Sequence, residues 1–290
     1  MLEFVRAASH DVGAIRVTTV SDGVSRFPLP DDFVVNATKT DVSAALRADG
    51  VEAGQVELHY NPVVLDTSKG RVLVDTGFGE AARQKPGATT GYLQRSMAQA
   101  GIDPGSIDMV VISHFHPDHV GGLLAPDGSP AFPNAKILVP EREWAFWMDD
   151  RRMKAATGRL AKAFAANRGI FAVFEERVDR YGWDDEIFPG VTTQGTPGHT
   201  PGHTSFHVRS AGQSLFVQSD VTNNPALFAV HPEWQIFLDM DGMEATMTRR
   251  RVYERLVAEK VLVQGFHYPF PSRGLIERER NGSGYRVVPA

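Results

Sequence analysis

His114-Phe115-His116-Pro117-Asp118-His119 places three imidazoles and a carboxylate within six residues. The apolar run Met109-Val110-Val111-Ile112 leads into it, and such a run bounded by polar residues predicts a buried strand. Side chains two apart at a strand end point the same way, so His114 and His116 can reach one metal ion together. Asp118 and His119 follow where the chain turns into Val120-Gly121-Gly122-Leu123, and can face a second ion beside the first. Imidazole and carboxylate together suit zinc or another borderline divalent metal. The bland alternative is a polar strand-to-helix turn whose histidines are merely solvated, and the rest of the chain argues against it.

Four further polar positions follow apolar strands in the same way. Val72-Leu73-Val74 runs into Asp75-Thr76-Gly77, and Val191-Thr192-Thr193-Gln194 leads to Gly195-Thr196-Pro197-Gly198-His199. Leu215-Phe216-Val217-Gln218-Ser219 ends at Asp220, and Val261-Leu262-Val263-Gln264-Gly265-Phe266 ends at His267. Ligand groups gather outside the carboxyl ends of strands in open α/β sheets. Several strands each delivering a His or Asp at one end can therefore build a single polynuclear cage. The candidates are His114, His116, Asp118, His119, His199, Asp220 and His267. They can supply two sites of about four protein ligands each if one carboxylate bridges. A bridging water or hydroxide would complete both spheres, since paired ions about 3.5–4 Å apart activate a shared nucleophile.

The elements that must position these residues can be read from the remaining pattern. Strands are predicted at Ile15–Val20, Val56–Leu65, Arg71–Asp75, Met109–Ser113, Lys136–Val139, Val191–Gln194, Ser205–Val208, Ser214–Ser219 and Val261–Gly265. Helical patterns fall at Thr90–Ala100, Glu141–Asp150, Ala155–Asn167 and Met243–Lys260. Thr67-Ser68-Lys69-Gly70 and Ser210-Ala211-Gly212-Gln213 read as hairpin turns. Hairpins mixed with strand–helix units argue two mixed sheets covered by helices. Residues 22–55 are loop-rich, with a short helix at Val42–Arg47, and residues 141–186 are helical and aromatic; both look added to the core.

Composition narrows the class. The 290 residues, 42% hydrophobic and 22% charged, fit one large soluble α/β domain. There is no cysteine, so any metal must be held by His, Asp or Glu. Net charge is -5 with the charges interspersed, which does not suit a nucleic-acid binder. The one dense basic run, Arg249-Arg250-Arg251, has helical periodicity and reads as a solvated face. No apolar stretch approaches the 18 or so residues of a membrane span. Met1 to Val12 lack the apolar core of a secretory signal, which points to the cytoplasm.

The chain resembles the metallo-β-lactamase superfamily, whose signature is His-x-His-x-Asp-His followed by a distant His, Asp and His. The resemblance runs from about Ile15 to the C-terminus, with His114 to His119, Thr196-Pro197-Gly198-His199, Asp220 and His267 all in order. It implies a four-layer αββα sandwich as a single domain over residues 1–290, with an extension at about 22–55 and a helical insertion at about 141–186. It further implies that His114, His116 and His199 hold one ion and Asp118, His119 and His267 the other. Asp220 would bridge them, and Asp75 would support the ligands from behind. Asp220 argues against a true β-lactamase, and the intact Asp118-His119 pair argues against the mononuclear iron branch. Basic exosites of the transfer-RNA-processing branch are not seen.

Two branches remain, the quorum-quenching lactonases and the methyl parathion hydrolase group. The second fits better through Thr196 to Thr204, Phe132-Pro133-Asn134-Ala135, Phe146-Trp147, His267-Tyr268-Pro269-Phe270-Pro271 and Gly284 to Pro289. Many lactonases place a catalytic Tyr three residues after the bridging Asp, and here that residue is Asn223. A lactone would then be polarised by the metals alone or with help from Asn223. The resemblance also implies a homodimer, with the 22–55 segment as a candidate contact.

Other side chains divide between chemistry and structure. Phe146 and Trp147 have helical spacing and are either core residues or a substrate wall. Phe78 and Phe228 are weaker candidates for the same wall. His231 either reaches substrate or is a turn residue ahead of Pro232. His203 reads as a hydrogen-bonded structural residue and His207 as an outward-facing strand position; His10 and His59 have no metal-like spacing. The expected reaction is hydrolysis of a small, mostly neutral ester, best a lactone or aryl carboxylic ester, by a bridging hydroxide on two zinc ions (Mn, Co or Fe being alternatives). Asp220 would bridge and Asp118 would pass a proton to the leaving oxygen. The alternatives are an organophosphate triester hydrolase and, in a different class, a non-catalytic metal-binding module. Closed structural zinc sites take four protein ligands each, which speaks against the module.

Overall fold

Alternation along the strands sets the layers. The computed structural model describes residues 2–52, 54–174, 177–280, 282 and 284–290; Met1, and Ala53, Glu175 and Glu176 of the two added-looking regions, lie outside the described residues. Seven strands pair in the order β1 (Ala7–Val12), β2 (Ile15–Val20), β5 (Val63–Thr67), β6 (Gly70–Val74), β7 (Met109–Val111), β8 (Lys136–Pro140) and β9 (Val178–Tyr181). Seven more pair in chain order: β10 (Glu186–Phe188), β11 (Val191–Gly195), β12 (Thr204–Ser210), β13 (Gln213–Ser219), β14 (Leu262–Gly265), β15 (Arg273–Arg278) and β16 (Tyr285–Pro289). Both sheets are mixed. Strands β6 to β9 run parallel, as do β13 and β14.

Val63, Leu65, Val72, Val74 and Val111 of the first sheet meet Val191, Phe206, Val208, Leu215 and Val217 of the second in a core between the sheets. The intervening Val64, Leu73, Val110 and Ile112 point the other way. They pack with Met97 of α3 (Leu93–Gln99), Trp147 of α5 (Glu141–Trp147), and Phe164 and Phe171 of α7 (Gly158–Ala172). On the outer face of the second sheet, Phe216, Val263 and Ile276 meet Val252, Tyr253 and Leu256 of α8 (Gly242–Glu259). Strands apolar on both faces need cover on both. The result is the αββα arrangement that the sequence led us to expect.

The N-terminal region between the first sheet's strands is more ordered than its loop-rich composition suggests. It forms a two-stranded sheet of β3 (Gly23–Pro28) and β4 (Gln55–Tyr60), with α1 (Lys39–Ala48) between them. Thr38 caps α1 by accepting from the Asp41 N–H, and Val42 and Leu46 bury against Phe33, Phe228 and Trp234. The single strand expected over Val56–Leu65 is two. Pro62 has no N–H to continue a ladder, and the Asn61 amide turns aside to donate to Phe266 O at 3.0 Å and Tyr268 O at 2.9 Å. β4 and β5 therefore join different sheets.

The helical region closes with α6 (Asp150–Ala155) and α7, which ends at Ala172; β9 and β10 beyond it belong to the two large sheets. One basic residue departs from the expected solvated face. Arg249 lies in the buried stripe of α8 with Ala245, Val252 and Leu256, and is 1% exposed. Its guanidinium donates to the carbonyls of Val221, Pro232 and Trp234 at 2.8–3.1 Å, which satisfies a segment that has no strand partner for those groups. Among the described residues no helix is long and apolar enough to cross a membrane.

Candidate metal centre

Parallel pairing brings the segments that carry the candidate ligands to one end of the sandwich. β6 and β7 run in register with Val74 opposite Val111, so Asp75 and the 113–119 segment emerge together. β13 and β14 pair Ser219 with Gly265, which places Asp220 beside the turn that carries His267. The β11–β12 connection, holding His199, closes over the same end. The backbone there is unusual: Asp75 and Ser219 both have positive φ, 60° and 52°. Left-handed backbone is uncommon outside glycine, and here it re-aims the chain out of two strands directly beside the cluster. Gly122 makes a further close approach, since a Cβ would lie 2.0 Å from Thr76 O. That contact lets α4 (Pro117–Val120) and the turn after it sit against the Asp75-Thr76-Gly77 segment.

All seven expected side chains converge. His116 Nδ1 lies 3.1 Å from His114 Nε2 and 2.9 Å from His199 Nε2. His119 Nε2 lies 3.6 Å from Asp118 Oδ2, and His267 Nε2 lies 3.4 Å from the same oxygen. Asp220 joins the two groups. Its carboxylate oxygens stand 3.9 Å from His114 Nε2, 3.3 Å from His199 Nε2, 3.2 Å from His119 Nε2 and 3.0 Å from His267 Nε2. Only Asp118 and His116 are partly exposed; the other five are buried.

The residues fit a pair of cations. Three ring nitrogens facing one another cannot all satisfy each other with protons, so the arrangement of His114, His116 and His199 suits a cation held among them. His119 Nε2 and Asp220 Oδ1 are buried without a geometrically sound hydrogen bond among the described residues. Burial and the neighbouring rings hold His114 and His116 well below the usual imidazole range, leaving them neutral and free to donate electron pairs. Burial also opposes charge on His199, but its hydrogen bonds to Asp220 and Asp239 outweigh this and raise it to about 9. The carboxylates thus make this spot favourable for positive charge.

Most rings of the cluster are held from behind. His119 Nδ1 lies 2.8 Å from Asp75 Oδ2, and Asp75 also accepts from the Ser113 N–H and hydroxyl. His267 Nδ1 meets His59 O at 2.7 Å, and His114 Nδ1 meets Ser113 Oγ at 3.0 Å. His199 Nδ1 lies 2.8 Å from Asp239 Oδ1, a partner that sequence reasoning missed. Such contacts set which nitrogen faces a metal. His203, expected to be structural, accepts from the Asp220 N–H through Nε2 at 3.0 Å and sits on Thr196 through Nδ1. Burial lowers it to about 3, so it stays neutral.

The expected substrate-wall residues fare unevenly. Trp147 is 1% exposed and its indole N–H donates to Glu143, so it belongs to the helical core and not to a wall. Phe146 is half-buried, stacked on Phe164 with Arg152 over its ring. Phe228 is fully buried between Phe33 and the Arg249 guanidinium. His231 stacks on Trp234 at 3.9 Å and lines a cavity of about 1070 Å³ that includes none of the seven cluster residues. Asn223 is buried and donates to Asp220 Oδ2 at 2.8 Å, which makes it a support for that carboxylate. Phe78 alone sits half-open next to the Asp75 loop, edge-on to Tyr60. A smaller cavity of about 490 Å³, lined in part by His59, Asn224 and His267, reaches the cluster from the β4 side.

The family model of the metallo-beta-lactamase superfamily matches residues 56–265, and the chain belongs to that superfamily. An N-acyl homoserine lactonase of Bacillus sp is 25% identical over 249 residues, covering 78% of this chain and 84% of the relative. The N-acyl homoserine lactonase AttM of Azorhizobium caulinodans is 38% identical over 111 residues, 38% of each chain. Among solved structures, the dizinc quorum-quenching lactonase AidC superposes with a TM-score of 0.91 at 24% identity, covering 99% of this chain and 98% of that one. The hydrolase AbOPH gives 0.89, also at 24% identity and the same coverage. The fold is theirs, and the chain is a metal-dependent hydrolase of this superfamily.

Proposed function

We propose that the protein hydrolyses a small neutral ester at a dinuclear zinc centre, with a lactone ring as the substrate and N-acyl homoserine lactones as the first to test. The observation that carries this reading is Asp220, whose carboxylate lies within 3.0–3.9 Å of ring nitrogens from both histidine groups. Two cations there would supply Lewis acidity toward the carbonyl and a water made nucleophilic near neutral pH. His114, His116 and His199 would hold one, Asp118, His119 and His267 the other, and Asp220 both. The lactonase relatives support the lactone as the ester.

The chain's own groups account for the rest. Asp118 is partly exposed and close to both His119 and His267, so it can carry a proton from the attacking water to the leaving oxygen. Asn223 keeps Asp220 in place and offers no phenol to the carbonyl, so developing oxyanion charge would be met chiefly by the cations these residues would hold. That feature favours a second reading, in which an organophosphate triester takes the ester's place, because Asn223 brings no group that selects carbonyl over phosphoryl. Turnover of an acyl homoserine lactone against an aryl phosphotriester on zinc-loaded protein separates them. A lactone kcat/KM at least about 100-fold the higher supports the leading reading, a difference of about 2.7 kcal/mol in transition-state binding. The reverse ratio, or no turnover of either, overturns it.

A further inference from the structure

We infer that Glu143 is a positioning residue for one of the two metal sites, the one formed by His114, His116 and His199. The inference rests on the dinuclear reading above. Glu143 lies in α5, outside the ligand-bearing loops, and is 0% exposed. Its Oε2 accepts from the Phe115 N–H at 3.1 Å, and its Oε1 accepts from the Gly202 N–H at 2.7 Å. Phe115 is the residue between His114 and His116, and Gly202 is three residues past His199. One carboxylate thus clasps the two loops whose separation sets the distance from His116 Nδ1 to His199 Nε2, 2.9 Å.

The clasp is itself fixed. The Trp147 indole, one turn along the same helix, donates to Oε2 at 2.8 Å. Gly202 lies so close that a Cβ would meet the Glu143 backbone nitrogen at 2.4 Å, so the loop rests directly on the helix. The other site is anchored differently. His119 is tied through its carbonyl to Thr76 and His267 to His59, while the shared Asp220 is held by His203 and Asn223, none of which touches Glu143. Loss of Glu143 should therefore loosen one site and spare the other. A residue that served folding alone would affect both or neither.

The test is a titration of metal-stripped protein with cobalt(II), followed by calorimetry and by the visible absorption of the bound ion. Wild-type protein should take up two ions; uptake of fewer than two defeats the dinuclear reading itself and leaves Glu143 nothing to position. Given two, Glu143→Gln replaces an acceptor oxygen with an NH2 group facing an N–H, and Glu143→Asp keeps the charge but is too short to span both amides. Each should weaken one of the two binding steps by about 10- to 100-fold and change the absorption of that ion, with the other step within about 2-fold. Equal weakening of both steps, or none, in a variant with wild-type circular dichroism overturns the inference. Should neither variant fold, hydrogen exchange on the wild-type protein decides. The Phe115 and Gly202 amides, which lie outside the sheets, should exchange as slowly as strand amides, and fast exchange of either one overturns it.

Discussion

At the residue scale the centre is built from pairs: a ring nitrogen that faces the cluster and an opposite nitrogen fixed by an oxygen. Asp75 does this for His119 and Asp239 for His199, each at 2.8 Å. Neutralising the acceptor weakens its hold on the ring and lowers the ring's basicity. Asp75→Asn and Asp239→Asn should each weaken metal binding by about 10- to 100-fold, at different sites, as read by chelator competition. Asp220→Ala should lose one ion per chain by elemental analysis and reduce kcat by about 100-fold or more, since both sites share its carboxylate. Asp75 could be read from the sequence because it follows a strand like the other candidates do. Asp239 could not, because it lies in a loop 40 residues from His199 with no repeating pattern around it. Trp147 shows the converse limit: helical spacing of aromatics is the same for a core and for a wall, and only packing shows that it is core.

At the element scale the strands that lead to the candidate ligands were the legible ones, being short β-branched or apolar runs ended by a polar residue. The edge strands β1, β9, β10 and β16, and β15 next to the last of them, were not foreseen, because their exposed or half-exposed positions break the apolar run. Pro62 signalled a break within Val56–Leu65, but the sequence did not show that its two halves join different sheets, which depends on carbonyls contributed from Phe266 and Tyr268. Helix α8 carries the sharpest test at this scale. Arg249→Met keeps the volume but strips three buried carbonyls of their donor. It should destabilise the protein by about 2–4 kcal/mol in urea unfolding. Arg251→Met, on the exposed face of the same helix, should change stability by less than about 0.5 kcal/mol.

At the scale of the whole molecule, stability should depend on pH through histidines that lie away from the metal centre. Burial, with Arg273 nearby, lowers His10 to about 4; burial, with Arg255 and Arg209, lowers His207 to about 4. The expected outward-facing His207 does point out of the sandwich core, but it is covered there, beside Phe216 and within reach of α8. The unfolded chain takes up protons on both rings below about pH 6.5, whereas the folded chain does not until about pH 4. Stability should therefore fall as pH drops from about 6.5 to about 4, and the urea midpoint should fall less in a His10→Asn/His207→Gln double variant. An unchanged slope in that variant would place the acid sensitivity elsewhere. The two-cation centre can be tested on the intact protein alone. Metal-stripped chain is titrated with zinc while hydrolysis of an N-acyl homoserine lactone is followed. Activity should be absent at the start and level off near two equivalents per chain; full activity without metal, or a plateau at one equivalent, would contradict a centre shared through Asp220.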